Sequence, residues 1–331
     1  MKKLLDDPSQ AVTDSLRGFG LAHADQVSVH HDPNYVVRAG GTPPGQVAVV
    51  SGGGSGHEPL HAGFVGAGML DAAVPGEVFT SPTPDQVLAA VQAADGGAGV
   101  LLIVKNYTGD VLNFETAAEL AEAEDIETTS VLVNDDVAVE DSLYTAGRRG
   151  VAGTLFVEKV AGAAAARGDS LAQVTALAER AASAVRSMGV ALTACTVPHV
   201  GKPSFDLGED EVEIGIGIHG EPGRHRVTAS GASDITRRLV DSVLDDIELA
   251  EGARVLLFVN GMGGTPASEL YVVYGIARQM LVDHGAQVER SLVGSYVTSL
   301  EMQGVSVTVA VLDDELIELW DAPVRTPALT W

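Results

Sequence analysis

Residues able to do acid–base or nucleophilic chemistry stand in this chain at the ends of apolar runs. Gln46-Val-Ala-Val-Val50 leads into Ser51-Gly-Gly-Gly-Ser-Gly-His-Glu-Pro-Leu-His61, where four glycines within five residues precede His57 and Glu58. Glycine has no Cβ, so the N–H groups of Gly52, Gly53, Gly54 and Gly56 can point closely at a small polar ligand. A plain turn needs one or two glycines, so the stretch reads as a ligand loop. Gly99-Val-Leu-Leu-Ile-Val104 leads likewise into Lys105-Asn-Tyr-Thr-Gly-Asp110, and a third run reaches His219-Gly-Glu-Pro-Gly223. Together the three ends supply imidazole, carboxylate and amine, the parts of a nucleophile and base set. Taken singly each has a bland reading: Asp110 could cap a helix starting at Val111, and a lone histidine is usually structural. Spacing does not say which histidine does what.

Three familiar motifs fail on the glycine loop. A Walker loop needs Gly-Lys-Ser/Thr, and Gly56 is followed by His57. The dinucleotide pattern Gly-x-Gly-x-x-Gly fails in both registers, meeting His57 or Pro59 where the third glycine belongs. His57-Glu-Pro-Leu-His61 matches the zinc-protease string, but that chemistry needs both histidines on one helical face. Pro59 belongs at a first helical position, which leaves His57 ahead of the helix. No metal site is expected, and His61 reads as a partly buried helix residue.

The elements that must position these groups alternate between strand and helix. Strands are expected at 27–29, 35–38, 46–50, 72–74, 99–104 and 129–133. Helices are expected from about Pro59, over 84–94 and 113–124, near 141–149, and over 157–167. Thr83-Pro84-Asp85-Gln86 carries an N-cap, a proline at the first position and a glutamine three residues on. The Leu171, Val174, Leu177, Ala178, Ala181 and Val185 stripe predicts a long helix over 170–188, stopped by Gly189 and bridging two halves. The second half is expected to hold a strand over 211–219 with alternating faces, a helix over 233–246, a strand over 254–259, a helix over 267–284, a strand over 286–293, a short helix near 298–303 and a strand over 305–312. The expectation is α/β: two α/β domains, 1–188 with the glycine loop and the Lys105/Asp110 loop, and 189–331 with His219, each a largely parallel or mixed sheet flanked by helices.

Composition narrows the partners. Asp and Glu number 45 against 20 Lys and Arg, a net charge of −25. Such a surface repels nucleic acid and anionic membranes, so neither is an expected partner. It is similar to proteins of salt-accumulating cells, where added salt screens dense carboxylates. The lysines are only Lys2, Lys3, Lys105, Lys159 and Lys202, which sets Lys105 apart. Cys195 is the single cysteine, expected as a small buried side chain. No internal disulfide can form, and the N-terminus lacks the apolar core of a signal peptide, so a cytoplasmic location is expected.

Gly-Gly-Gly-Ser-Gly-His-Glu-Pro, Glu-Val-Phe-Thr-Ser-Pro, Val-Lys-Asn-Tyr-Thr-Gly-Asp, Gly-Ile-Gly-Ile-His-Gly-Glu-Pro-Gly, Asn-Gly-Met-Gly-Gly-Thr and Leu-Trp-Asp-Ala-Pro resemble the dihydroxyacetone kinase family. They span almost the whole chain and correspond to its K subunit, the part that binds the triose. The resemblance implies that His219 attacks C2 of dihydroxyacetone and holds it as a hemiaminal. It implies that Asp110 takes the proton from the terminal hydroxyl, and that His57 polarises the C2 oxygen or shuttles its proton. The backbone of Gly54, Ser55 and Gly56, with Lys105, would fix the remaining oxygens.

Nothing in the chain resembles a nucleotide site, so the resemblance places ADP or ATP with Mg on a partner L subunit. An M phosphotransferase subunit would recharge that nucleotide from phosphoenolpyruvate; ATP-dependent relatives carry a fused L domain. The chain stops at Trp331, which is expected of a free-standing K subunit and favours the phosphoenolpyruvate branch. A homodimer is expected. The rival is a dihydroxyacetone sensor that regulates transcription; His57 and Asp110 beside His219 favour catalysis, because a sensor needs only the binding residue.

Overall fold

The computed structural model describes residues 2–139, 147–221 and 223–331. The helix expected near 141–149 falls largely outside the described residues. Twelve strands form two six-stranded mixed sheets among the described residues.

The first sheet holds β1 (Val27–His30), β2 (Tyr35–Arg38), β3 (Ala48–Ser55), β4 (Ala72–Val78), β5 (Val100–Lys105) and β6 (Thr128–Val133), in the order β1-β2-β4-β3-β5-β6. β3 is parallel to both β4 and β5, and β5 to β6, while β1 and β2 form an antiparallel edge. β5 is buried along its whole length, as its apolar run requires, and so is β3, which does not end at Val50 as expected but continues as strand through the glycines to Ser55. Helices α1 (Ala11–Ala22), α2 (Pro84–Ala94), α3 (Thr108–Glu122), α4 (Gly153–Arg167) and α5 (Leu171–Ala184) accompany this sheet. The capping box of Thr83 and Gln86 starts α2 as the sequence predicts.

The second sheet holds β7 (Val185–Ala191), β8 (Glu211–Ile214), β9 (His225–Thr228), β10 (Arg254–Gly261), β11 (Gln287–Gly294) and β12 (Gly304–Leu312), in the order β11-β10-β12-β7-β8-β9. Only β10 and β11 are parallel. α6 (Ala232–Leu244), α7 (Ala267–Asp283) and α8 (Asp314–Asp321) complete the chain.

The layers run α2/α3, first sheet, α4/α5, second sheet, α6/α7. One apolar cluster on the inner side joins Ile103 of the first sheet, Leu155 and Val160 of α4, and Phe258 and Leu312 of the second. α4 is consequently buried all round, from Gly153 to Ala165. Separate clusters pack α2 and α3 on the outer face of the first sheet, and α6 and α7 on that of the second.

Several expectations are corrected. The helix expected over 170–188 ends at Ala184, and β7 follows at once. Val185 continues the helical stripe by coincidence, because it is buried in the strand as well. No α-helix starts at Pro59; a turn leads to a three-residue 3-10 segment, Ala62–Phe64. The strand expected over 211–219 stops at Ile214, where Gly215 turns the chain at φ +81°. The expected helix near 298–303 is irregular backbone with an isolated bridge at Met302, and α8 was not anticipated. No helix of the described residues is long and apolar enough to cross a membrane.

Candidate active site

The carboxyl ends of β3 and β5 converge on one cavity of about 750 Å³, where parallel strands of an α/β sheet place ligands. Gly54 comes from β3, Phe79 and Ser81 from the β4–α2 loop, Tyr107 and Asp110 from the start of α3, and His219 and Glu221 from the β8–β9 connection. His219 and Asp110, from different sheets, therefore share a cavity.

His219 is boxed by aromatic rings. Tyr107 meets it edge to face at 4.6 Å, Phe79 at 5.3 Å and His57 at 4.7 Å between centroids. Its Nδ1 lies 2.8 Å from Glu221 Oε1, and its backbone N–H donates to Glu221 Oε2 at 2.9 Å. A carboxylate there requires Nδ1 to carry a proton, so the neutral form of the ring, the one able to attack, has its lone pair on Nε2. Burial pushes the Glu221 carboxyl up, but the charge and hydrogen bond of His219 and the charge of Arg149 outweigh it and hold it at about 2. Arg149 is itself fully buried, donating to Asp136 at 2.7 Å and to the Gly215 carbonyl at 2.8 Å.

His57 is buried, stacked on Phe79 at 5.1 Å, with Nδ1 2.8 Å from the Thr298 carbonyl. That carbonyl accepts only from an N–H, so Nε2 is unprotonated, and it has no hydrogen-bond partner among the described residues. Burial, then the neighbouring charges of His219 and Lys105, hold His57 well below the usual histidine range, so it is neutral.

Asp110 sits in the first turn of α3, 3% exposed, where the helix dipole favours a carboxylate. It is not the cap of a helix from Val111, because α3 begins at Thr108. Lys105, the last residue of β5, is fully buried beneath the cavity. Its ammonium donates to the Gly52 carbonyl at 2.8 Å, meets His61 Nε2 at 2.9 Å and stands 3.4 Å from Asp110 Oδ2.

Of the seven residues singled out in the sequence, His57, Lys105, Asp110, His219 and Gly54 come together. Ser55 and Gly56 turn away. The Ser55 hydroxyl donates to the Gly76 carbonyl, the Gly56 N–H donates to the Glu58 carboxylate, and both border a second cavity against α1. Glu221 and Tyr107 were missed as site residues. Glu221 lies within a quoted motif, but nothing in the spacing of His-Gly-Glu marks it as the partner of the histidine. His57 and His61 point at different partners, and no group of three metal-ligating side chains occurs among the described residues. Cys195 is buried, as expected.

The Dak1 domain matches residues 17–328. The chain belongs to the Dak1 domain family. Among Dak1 proteins, the chain is 48% identical over 355 residues to the PEP-dependent dihydroxyacetone kinase, dihydroxyacetone-binding subunit DhaK, of Escherichia coli (strain K12), with 100% of this chain and 99% of that one covered. The dihydroxyacetone kinase of C. freundii superposes with a TM-score of 0.88 at 36% identity, over 98% of this chain and 60% of that longer one. The dihydroxyacetone kinase operon co-activator Dha-DhaQ superposes with a TM-score of 0.89 at 34% identity, over 95% of this chain and 96% of that one. The Dak1 fold is thus shared by kinases and by a co-activator, and the site must separate the two.

Proposed function

We propose that this chain is the dihydroxyacetone-binding subunit of a dihydroxyacetone kinase. It holds the ketone as a hemiaminal on His219 while a terminal hydroxyl receives a phosphoryl group. The observation that carries this reading is the pairing of His219 Nδ1–H with Glu221 beside a cavity that also holds Asp110.

Nε2 of His219 attacks C2; the C–N bond forms as the carbonyl π pair moves onto oxygen, which takes a proton from water in the cavity. Glu221 stays ionised and balances the charge that builds on the imidazole, as the buried aspartate of a serine-protease triad stabilises its imidazolium without taking the proton. The carbon-bonded nitrogen has no proton left to lose, so the adduct cannot dehydrate to an imine and reverses readily. Glycerol has no carbonyl and is refused, a sharper discrimination than a polar pocket alone would give.

Asp110 takes the proton of the terminal hydroxyl as phosphorus arrives. His57, with a lone pair on Nε2, accepts and shuttles the proton of the C2 hydroxyl. The Gly54 backbone faces the bound triose, Ser55 and Gly56 shape the end of the strand behind it, and Lys105 orients Asp110 from below. The nucleotide, ADP or ATP with Mg, sits on a partner L subunit that docks over the cavity, and an M phosphotransferase subunit recharges it from phosphoenolpyruvate. The K chain works as a homodimer in the cytoplasm, its two α/β domains dividing between α5 and β7, a few residues ahead of the expected 188/189, which would cut β7.

The likeness to the co-activator favours a second reading, a dihydroxyacetone sensor. An Asp110 carboxylate buried at the same cavity as His219 argues for the kinase. Assay of the chain with dihydroxyacetone, an L subunit and its nucleotide tests the choice. Dihydroxyacetone phosphate from the wild type and none from Asp110→Ala is the expected result; adduct without turnover would establish the sensor.

A further inference from the structure

His61 closes the sequence motif that raised the zinc reading, and the chemistry above gives it no task. Its ring is buried beneath the glycine strand between two other ionisable side chains. Nδ1 lies 2.5 Å from Oε1 of Glu158, which comes from the middle of α4, and Nε2 lies 2.9 Å from Lys105 Nζ. A lysine ammonium has three donors. Here they are taken by the Gly52 carbonyl, by His61 Nε2 and, at the longest distance of the three, 3.4 Å, by Asp110. A charge-assisted bond between ammonium and carboxylate is ordinarily about 2.7–2.9 Å. The two neutral partners are therefore close and the charged one is loose, the reverse of what charge alone would give.

The tautomer follows. Because Lys105 donates, Nε2 must be unprotonated, and the proton sits on Nδ1, where Glu158 accepts it. We propose that His61, held in place by Glu158, is a positioning residue that withholds the Lys105 ammonium from Asp110. The amine then orients the carboxylate without locking it into a tight ion pair that would spoil it as a base. The proposal rests on the reading of Asp110 as the base.

The charges that face the cluster agree with it. His61 meets Lys105 and Glu158, with His57 nearby; burial, then Lys105 and His57, hold it well below the usual histidine range, so it stays neutral. Glu158 bonds His61, with the Lys105 charge nearby and the Ser51 hydroxyl committed to the Ile103 carbonyl; burial prevails and pushes it up to about 8, so no unbalanced charge lies behind His61 at neutral pH. Lys105 is left with Asp110 as its one close charged partner, and its restraint is geometric.

The test compares His61→Leu, Glu158→Leu, the double variant and His61→Gln with wild type, each in complex with an L subunit. Hemiaminal formation, read by mass, restricts the comparison to folded protein. Each single change is expected to lower kcat on the order of tenfold to a hundredfold with little change in KM for dihydroxyacetone. Lys105, released, closes on Asp110, and the acid limb of the kcat profile moves to lower pH. The double variant should lose no more than either single one, because both act through one contact. His61→Gln, whose amide oxygen can accept from Lys105, should restore part of kcat and return the acid limb toward wild type. Additive losses, or reduced kcat with an unmoved acid limb, would reduce the cluster to a structural role. A readout independent of turnover keeps the proposal separate from the kinase reading. Imidazole nitrogen spectra of the wild type should show His61 protonated on Nδ1 alone; the opposite tautomer in wild type overturns the proposal even if the kinase assay succeeds.

Discussion

Glu221 grips His219 twice, with one carboxylate oxygen on the backbone N–H at 2.9 Å and the other on Nδ1 at 2.8 Å. The first contact fixes where the histidine starts and the second fixes how its ring turns. The carboxylate is in turn held by the charge of buried Arg149, so the orientation is anchored in the core of the second sheet.

Glu221→Gln keeps the shape and removes the charge. The ring can still be oriented, but the positive charge that develops on attack has no counter-charge. Turnover is expected to fall by up to about 10⁴-fold, the loss that follows when the aspartate of a catalytic triad becomes an amide. Intact-mass measurement of the adduct should show a matching loss of occupancy. Full occupancy in Glu221→Gln would mean that the carboxylate only orients.

Gly53 shows why one glycine of the loop cannot be replaced. A Cβ there would overlap the Lys105 ammonium and lie 3.5 Å from Asp110 Oδ2. Gly53→Ala must displace either the amine or the strand. A fall in kcat on the order of a hundredfold is expected, the cost of a misplacement of about 1 Å, with His219 adduct formation retained. If kcat is unchanged, Lys105 does not position Asp110.

Much of this site was legible because strands that end in glycine or polar turns leave a clear trace. β5 and the capping box of α2 were read from residue types alone, and the meeting of His57, Lys105, Asp110 and His219 was expected from the resemblance; β3 was placed, but its run through the glycines to Ser55 reads in the sequence as a loop. What escaped depends on pairing across the fold. Glu158 contacts His61 from a helix that lies between two sheets, and no local pattern links the two. The passage from α5 to β7 was hidden because Val185 suits both the helical stripe and a buried strand. Ser55 points to the opposite face of β3 from Gly54, as strand alternation requires, while Gly56 lies beyond the strand end, where its N–H is taken by Glu58.

The charge of the chain makes a prediction about salt. Acidic side chains exceed basic ones by 25. Several arginines already serve two carboxylates: Arg167 reaches Asp169 and Glu315, and Arg290 reaches Glu289 and Asp321. The remaining carboxylates repel one another, and the repulsion is screened over about 3 Å at 1 M salt against about 10 Å at 0.1 M. The melting temperature is expected to rise from dilute buffer to molar KCl. A flat or falling trend would show that the carboxylates are spread too thinly for their repulsion to matter.

Glu158 makes a prediction of opposite sign to the usual carboxylate. Its folded-state value, about 8, lies above the ordinary 4.5. Between those values the folded chain binds a proton that the unfolded chain has released, so the contribution of Glu158 to stability falls as pH rises from 4.5 to 8 and levels off above 8. At pH 7 the cost is about 3 kcal/mol, from about 2.5 pH units at 1.36 kcal/mol each. Glu158→Gln keeps an acceptor for His61 Nδ1–H and has no proton to gain. Denaturant unfolding at pH 4 and pH 7 should therefore show the variant near wild type at pH 4 and clearly more stable at pH 7. A variant equally destabilised at both would mean that Glu158 is ionised in the folded protein, and His61 would then be held by a true ion pair instead of a neutral hydrogen bond.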